Sequence, residues 1–306
     1  MSIKVAVHGL GNIGRHVVDC LSIAPDMTCL GVIRRASSLG KNAADLKGLP
    51  DFASIEDLAA AHGKPDVVIL CGPSRAVPSD ATAYLSKGYR TVDSFDIHTE
   101  IPAVVKELGS VAESHHTACI TAAGWDPGTD SLLRAVFEAM TPAGTTFTNF
   151  GRGRSMGHSV AARAIKGVAD ATSITIPIGG GRHSRLVYVL PEQGASFETI
   201  KKDIAADPYF SHDPLEVREV KTPAEMDLVA DNSHGVLMER IGASGTVSNQ
   251  RLMFDMRIDN PALTAQVLVS SARAVTRLGT GCFTLIDVPP VAMLPGDRET
   301  HIARLV

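Results

Sequence analysis

The first part of the chain alternates short, mostly apolar runs with amphipathic stretches, as expected when buried strands are separated by helices that expose one face. Strands are predicted at 3–8, 28–33, 66–71, 90–92 and 117–121. Uninterrupted apolar strands are typical of a parallel sheet that is covered on both faces. The alternating order therefore predicts an α/β fold with a doubly wound parallel sheet and right-handed crossovers.

From residue 124 the pattern changes to longer segments in which apolar and polar residues alternate irregularly, which is typical of antiparallel sheets. Further strands are predicted at 145–150, 171–178, 185–190, 215–220, 236–241, 250–258 and 282–288, and helices at 129–140, 197–206, 262–278 and 297–305. We predict a dinucleotide-binding domain at 1–123, an inserted α+β substrate-binding and dimerisation domain at 124–260, and a C-terminal segment at 261–306 that returns to the first domain.

Composition excludes several classes of function. The chain has 306 residues, a net charge of −4 and no basic run, so nothing in it favours nucleic acid or an anionic membrane as a partner. The N-terminus enters a strand pattern without the features of a secretory signal, and no apolar run is long enough to span a bilayer. Five cysteines without close pairs predict reduced thiols in a cytoplasmic protein and no metal site.

A glycine-rich turn follows the first predicted strand and opens a helix at 12–24. In Gly9-Leu10-Gly11-Asn12-Ile13-Gly14, the first glycine permits the turn, Gly11 lets the backbone approach a pyrophosphate, and Gly14 lets the helix pack on the strand. The N–H groups at the start of the helix, around Asn12 and Ile13, are available to phosphates. The turn predicts a Rossmann-type dinucleotide site, against the alternative of a simple structural turn.

The end of the second strand predicts which nucleotide is bound. An NAD enzyme usually has an acidic residue there for the ribose hydroxyls, whereas this chain has Arg34, Arg35 and Ser37, which suit a 2′-phosphate. We therefore predict NADP; a solvated basic turn is the alternative. The next strand ends at Cys71-Gly72-Pro73-Ser74, whose backbone is expected to line the nicotinamide ribose, with Cys71 itself in the core.

Acidic residues follow two later strands. Asp93 and Asp96 come after the fourth strand, and we expect Asp93 to cap the following helix and Asp96 to remain available for chemistry. After the fifth strand, Gly124-Trp125-Asp126-Pro127-Gly128 contains the only Trp of the chain beside an acid. The alternative for this segment is a tight turn whose Trp packs at a domain interface.

Four segments together resemble the meso-diaminopimelate dehydrogenase family, and the similarity extends through nearly the whole chain. They are His8 to Arg15, Thr91 to His98, Gly124 to Gly128, and Gly153-Arg154-Ser155-Met156-Gly157-His158-Ser159. The resemblance implies an enzyme that uses NADP to deaminate the D-centre of meso-2,6-diaminopimelate reversibly to L-2-amino-6-oxopimelate and ammonia. Separately, the broad face of the predicted α+β layer is expected to pair with a second copy, which makes a homodimer.

The resemblance also implies the roles of individual residues. Asp96 and Asp126 are the catalytic acids, and Trp125 and Phe150 exclude water. Met156 and Gly157 offer backbone groups to the D-centre carboxylate. The distant L-centre is assigned to Thr175, Arg185, His234 and Asn260. Arg185 as a surface residue and His234 as an ordinary loop histidine are the alternatives.

One departure from the family pattern is the charge of Arg152 and Arg154 in the glycine-containing loop, where smaller or apolar residues are expected. This charge and the short substrate segment are compatible with an enzyme that also aminates simpler 2-oxo acids to D-amino acids. A related NADP-dependent reductase of the lysine pathway and a non-catalytic NADP-sensing protein are the alternative functions.

Overall fold

The computed structural model describes residues 2–150, 152–230 and 233–306. The chain folds into two compact units: unit 1 runs to Ala135 and includes Pro261–Val306, and unit 2 is Val136–Asn260. Residues 124–135, which the sequence pattern assigned to the second domain, pack with unit 1. The backbone N–H of Ala123 donates to the carbonyl of Asp93 at 2.8 Å and so holds the start of this segment on the sheet.

The strands of the described residues build three sheets. They are β1 (Ile3–His8), β2 (Met27–Ile33), β3 (Asp51–Phe52), β4 (Val67–Leu70), β5 (Arg90–Asp93), β6 (Ala118–Ile120), β7 (Ala143–Phe150), β8 (Gly153–Arg154), β9 (Val168–Gly179), β10 (Arg182–Pro191), β11 (Leu215–Glu219), β12 (Ser233–Ser244), β13 (Val247–Asp259) and β14 (Gly281–Phe283). The helices are α1 (Asn12–Ile23), α2 (Ala43–Leu46), α3 (Ile55–His62), α4 (Val77–Leu85), α5 (Ile101–Ser114), α6 (Thr129–Met140), α7 (Met156–Arg163), α8 (Phe197–Ala206), α9 (Pro223–Val229), α10 (Asn260–Val275) and α11 (Arg298–Leu305).

Unit 1 is built on a parallel sheet in the order β14-β6-β5-β4-β1-β2-β3, which confirms the predicted doubly wound sheet. Helices cover both faces: Val5 and Val7 of β1 belong to one apolar cluster and Ala6 to another. Since all strands are parallel, the segments that follow β1, β2, β4, β5 and β6 leave the same edge of the sheet. This edge carries the predicted cofactor and acidic segments.

Some elements differ from the predicted pattern. The strand predicted at 282–288 ends at Phe283, because the side chain of Thr284 and that of Asp287 form a capping box that turns Leu285–Asp287 into a 3₁₀ helix. Short elements such as β3, α3 and α7 were not predicted, since two- and eight-residue segments give little periodicity. No helix in the described parts of the chain combines the length and apolar character needed to cross a bilayer.

Unit 2 contains two sheets. One has the order β11-β10-β9-β8 and the other β13-β12-β7. The chain leaves the three-stranded sheet at Phe150 and enters the four-stranded sheet at Gly153, which pairs with Thr175 of β9. α8 and the segment after it pack Ile200, Ile204 and Phe210 on the four-stranded sheet.

The carboxylate of Asp93 joins the ends of two neighbouring strands in unit 1. Its Oδ1 accepts hydrogen bonds from the Phe95 N–H at 3.0 Å, the Thr121 hydroxyl at 2.8 Å and the Ala122 N–H at 3.2 Å. The expectation that Asp93 caps a helix is wrong, because α5 begins only at Ile101. Burial raises the pKa of the Asp93 carboxyl to about 6, although these hydrogen bonds oppose the shift.

Replacing Asp93 with Ala should lower the free energy of unfolding by about 3 kcal/mol, because three buried donors lose their acceptor. Asp93→Asn keeps an oxygen in nearly the same place and should cost less than half as much. Urea denaturation of both variants measures the difference. Equal losses for the two variants would show that the shared acceptor oxygen does not hold these strand ends.

Candidate active site

A cavity of about 740 Å³ lies at the carboxyl edge of the sheet in unit 1. Its lining includes nine of the twelve residues that the sequence assigned to the cofactor: Gly9, Gly11, Asn12, Ile13, Arg34, Arg35, Cys71, Gly72 and Pro73. Of the others, Gly14 and Ser37 are not among its lining residues, and Ser74 begins a 3₁₀ helix beside it. The lining also contains His8, Leu10, Ser38, Lys41, Asn42 and Asp80, which sequence reasoning missed.

The glycines of the first turn fit a dinucleotide cradle for different reasons. A Cβ on Gly14 would lie 2.2 Å from the carbonyl oxygen of Gly9, so Gly14 is required for α1 to pack against the turn. Gly9 has a φ of +99°, in the region that favours glycine. Among the described residues, a Cβ at Gly11 would meet no atom within 4 Å, and no side chain caps α1. The backbone N–H groups that start α1 therefore remain accessible to an anion.

The two arginines after β2 differ in their surroundings. Arg34 is buried, with Nε 2.9 Å from Asp51 Oδ2 and Nη2 donating to the Lys41 carbonyl at 2.8 Å. Asp51 also accepts the Gly40 N–H at 2.9 Å, and this hydrogen bond is the main cause that lowers the pKa of its carboxyl. Arg34 thus fastens the loop after β2, whereas Arg35 is exposed on the cavity.

Other missed residues lie beside the turn. His8 ends β1, and its ring meets that of Tyr84 edge-on at 5.6 Å. Burial lowers the pKa of His8, against the opposing charge of Asp80. A single His at the end of a strand gives no sequence signal for such a position, since the Tyr84 ring that it meets is 76 residues away in the chain.

The predicted catalytic acids follow the two strands that Asp93 joins. Phe95 is buried and anchors the segment after β5, which leaves Asp96 exposed. Trp125 is buried, and the Asp126-Pro127 peptide bond is cis. The carboxylate of Asp126 is 9% exposed. The two acids thus differ sharply in their access to water.

Asp126 forms a carboxyl pair with Asp130, the second residue of α6. The Asp130 side chain is fully buried, and Arg134 lies close to both carboxyl groups, with Nη2 2.8 Å from Asp130 Oδ2 and Nη1 3.8 Å from Asp126 Oδ1. Burial, followed by the negative charge of Asp126, raises the pKa of Asp130 to about 7, although Arg134 opposes this. Two neighbouring carboxylates do not both ionise readily, so Asp130 keeps a proton to a higher pH than an isolated carboxyl group. Asp130 was not identified as a functional residue from the sequence.

In unit 2, the ring of Phe150 lies between two imidazoles. It stacks on His183 at 6.1 Å and on His234 at 5.9 Å between ring centroids. The Phe150 N–H donates to His183 Nε2 at 2.9 Å, which requires the His183 proton to be on Nδ1. Burial, followed by the charge of Arg185, lowers the pKa of His183, in keeping with a neutral ring. His183 was not identified from the sequence.

Arg185 and Thr175 face each other across β10 and β9. Arg185 Nη1 donates to the Thr175 hydroxyl, and Nε lies 2.7 Å from Asp213 Oδ2. The Arg185 side chain is 12% exposed, so it is not an ordinary surface residue. The hydroxyl of Thr175 is occupied in orienting this arginine, a contact that the sequence did not indicate.

The remaining predicted residues lie at the starts of helices. Met156 and Gly157 begin α7, and their side-chain surroundings lie outside what the structure describes. Asn260 begins α10. Arg154 is on β8 opposite Ile174, and Arg152 is exposed just before it.

Three comparisons with known proteins agree. The family model named Diaminopimelic acid dehydrogenase C-terminal domain matches residues 124–181. A meso-diaminopimelate D-dehydrogenase of Bacteroides fragilis is 47% identical over 304 residues, which cover 99% of each chain. The diaminopimelate dehydrogenase of Corynebacterium glutamicum in complex with DAP is 29% identical, with a TM-score of 0.76 over 100% of this chain and 99% of that one. An engineered D-amino acid dehydrogenase bound to NADP+ is 28% identical, with a TM-score of 0.71 and full coverage of both chains.

Stability should depend on pH through Asp130. Between its ordinary pKa of 3.8 and about 7, the folded protein keeps a proton that the unfolded chain gives up, so the free energy of unfolding falls as pH rises through this range. Asp130→Asn cannot titrate and should therefore lose less thermal stability between pH 5 and pH 8 than the wild type. Asp203→Asn, at an exposed position of α8, is the control. The idea is wrong if all three proteins show the same change in Tm.

Proposed function

The chain belongs to the meso-diaminopimelate D-dehydrogenase family, and on that premise we propose that it oxidises the D-centre of meso-2,6-diaminopimelate to L-2-amino-6-oxopimelate and ammonia, reversibly, with NADP. The single observation that best supports this chemistry is the Asp126–Asp130 carboxyl pair, which can exchange a proton near neutral pH. Full-length identity of 47% to a relative of this name supports the dehydrogenase over a related reductase or a sensing protein.

NADP, when bound, supplies the acceptor for the hydride that leaves the D-centre carbon. We assign its pyrophosphate to the backbone of the glycine-rich turn and the start of α1, where no side chain competes for the N–H groups. We assign its 2′-phosphate to Arg35 and its neighbours Ser38 and Lys41, which line the same cavity. Arg34 contributes by holding their loop through Asp51.

The acids act on the nitrogen of the D-centre. The amine must be neutral before hydride can leave the adjacent carbon, and we assign removal of its extra proton to Asp126. Asp130 and Arg134 hold Asp126 and stabilise either proton state of the pair. As hydride leaves, positive charge develops on nitrogen, and we assign its stabilisation to the carboxylate of Asp96. The buried indole of Trp125 keeps bulk water away from Asp126.

Unit 2 supplies the groups for the two carboxylates. We assign the D-centre carboxylate to the backbone that begins α7 at Met156 and Gly157. We assign the L-centre carboxylate to Arg185, since a guanidinium is suited to carboxylate binding, and we assign supporting contacts with that end of the substrate to His234 and Asn260. Thr175 orients Arg185, and the ring of Phe150 closes the site to water.

We also propose that the protein is a homodimer formed through the three-stranded sheet of unit 2. The exposed face of this sheet carries large apolar side chains, among them Ile241, Val247 and Met253. Apolar side chains exposed on adjacent strands favour a partner surface over water. A second copy of the chain is the partner that the broad face of the α+β layer led us to expect.

Asp126→Asn should reduce kcat by about a hundredfold or more, because the variant cannot accept the proton. Turnover is measured as NADPH formation from meso-2,6-diaminopimelate and as NADPH oxidation with ammonia and L-2-amino-6-oxopimelate. NADPH binding, followed by its fluorescence, should be nearly unchanged. Wild-type turnover no higher than that of a cofactor-only control would contradict the proposed function, and unaltered kinetics in the variant would remove Asp126 from the chemistry.

Arg35→Ala should raise the KM for NADPH by about tenfold and leave that for NADH nearly unchanged, because a charge-assisted contact to the 2′-phosphate is lost. Arg34→Ala should weaken both nucleotides, because it releases the loop itself. Arg298→Ala, at an exposed position of α11, is the matched control. An equal effect of Arg35→Ala on NADPH and NADH would contradict this division of roles.

A further inference from the structure

Arg185 is held on one side by the protein. Its Nε lies 2.7 Å from Asp213 Oδ2, and its Nη1 donates to the hydroxyl of Thr175. These contacts occupy the Nε side of the guanidinium and part of Nη1. Nη2 has no hydrogen-bond partner among the residues that the structure describes. The end of the guanidinium formed by the two Nη atoms is therefore the part that can receive a carboxylate.

The position of Asp213 is determined by the sheet. Leu215, the first residue of β11, pairs with Arg185 of β10, and the Arg185 N–H donates to the carbonyl of Pro214 at 2.7 Å. Asp213 precedes this hydrogen-bonded proline directly, so the parallel pairing brings its carboxylate beside the Arg185 side chain. A contact built from adjacent strands loses less conformational entropy on forming than one between two free side chains.

A second ion pair of unit 2 shows what makes this one unusual. Arg218 Nε lies 2.7 Å from Glu216 Oε1 on β11, the same distance as in the Arg185–Asp213 pair. Its side chains are 54% and 59% exposed, against 12% and 26% for Arg185 and Asp213. Exposed pairs have little effect on stability or geometry, whereas a largely buried pair fixes the direction of its donors. The Arg185–Asp213 pair therefore holds the Arg185 guanidinium in one orientation, as recognition of a substrate group requires.

Charge also favours an oriented arginine. Because the carboxylate of Asp213 lies beside it, the positive charge of Arg185 is neutralised before a substrate binds, and Arg185 is not an isolated buried cation. A substrate carboxylate at the Nη end then binds through geometry more than through net charge. Such a site distinguishes substrates by the presence and position of a carboxylate, since a carboxylate in the wrong position adds little binding energy.

We propose that Asp213 is a positioning residue that acts through Arg185 to select substrates with a carboxylate at the L-centre. The proposal rests on the assignment of Arg185 to that carboxylate under the proposed function. Asp213 touches neither the reacting carbon nor the cofactor in this scheme. Its removal should change the recognition of the distant end of the substrate and leave the chemistry at the D-centre intact.

The test is a double-mutant cycle with Asp213→Ala and Arg185→Met. Asp213→Ala should raise the KM for meso-2,6-diaminopimelate by about tenfold, the size expected for loss of one charge-assisted hydrogen bond, with kcat within about twofold of the wild type. In the Arg185→Met background it should have no further effect. Asp213→Asn keeps an acceptor for Nε and should restore part of the loss. Glu216→Ala, from the exposed pair, should behave as the wild type.

D-Lysine provides the second measurement. It has the D-centre and the distant amine of meso-2,6-diaminopimelate but lacks the second carboxylate, so its kcat/KM, or its inhibition constant if it is not turned over, should be unchanged by Asp213→Ala. Additive effects in the cycle, or equal losses with both compounds, would overturn the role of Asp213. If Arg185→Met itself leaves the KM for meso-2,6-diaminopimelate unaltered, the assignment of Arg185 fails. If Arg185→Met has its effect and Asp213→Ala has none, only the present inference fails.

Discussion

The acceptor oxygen of Asp93 is the constraint on which the acidic side of unit 1 depends. One oxygen receives donors from the segment after β5 and from the segment after β6, and these segments carry Asp96 and Asp126. Parallel pairing alone aligns the strands but leaves the loops that follow them free to diverge. Because Asp93 is buried and accepts from both, the two loops leave the sheet with a fixed relation to each other.

The same unit uses carboxylates in three electrostatic settings. Asp93 is buried among neutral donors, Asp130 is buried against another carboxyl group, and Asp96 is exposed. Burial raises the pKa of Asp93 to about 6, and burial together with the charge of Asp126 raises that of Asp130 to about 7, although the two side chains are chemically identical. In unit 2, burial and the charge of Arg185 likewise lower the pKa of His183.

The sequence predicted the parts of the molecule that depend on local pattern. The strand, turn and helix around Gly9 to Gly14 follow from spacing that backbone sterics demand, and the sheet follows from apolar runs. Pairings between distant segments could not be predicted. Arg34 and Arg35 look equivalent in the sequence, and only the structure shows that Arg34 is paired with Asp51. Asp93 was predicted to cap a helix, whereas in the structure it accepts hydrogen bonds from Thr121 and Ala122. Neither Asp130, His183 nor Asp213 has a local signature, because each acts through a partner that only the fold provides.

The anchoring of the loop after β2 bears on how this cofactor site can change during evolution. Arg34, Asp51 and Gly40 close the base of the loop through contacts made entirely within the protein, and Arg35 stands outside this arrangement. A lineage can therefore exchange the residues that touch the nucleotide while the loop keeps its shape. Separating the support of a loop from its recognition surface makes nucleotide preference an evolvable trait, open to single substitutions that do not endanger the fold.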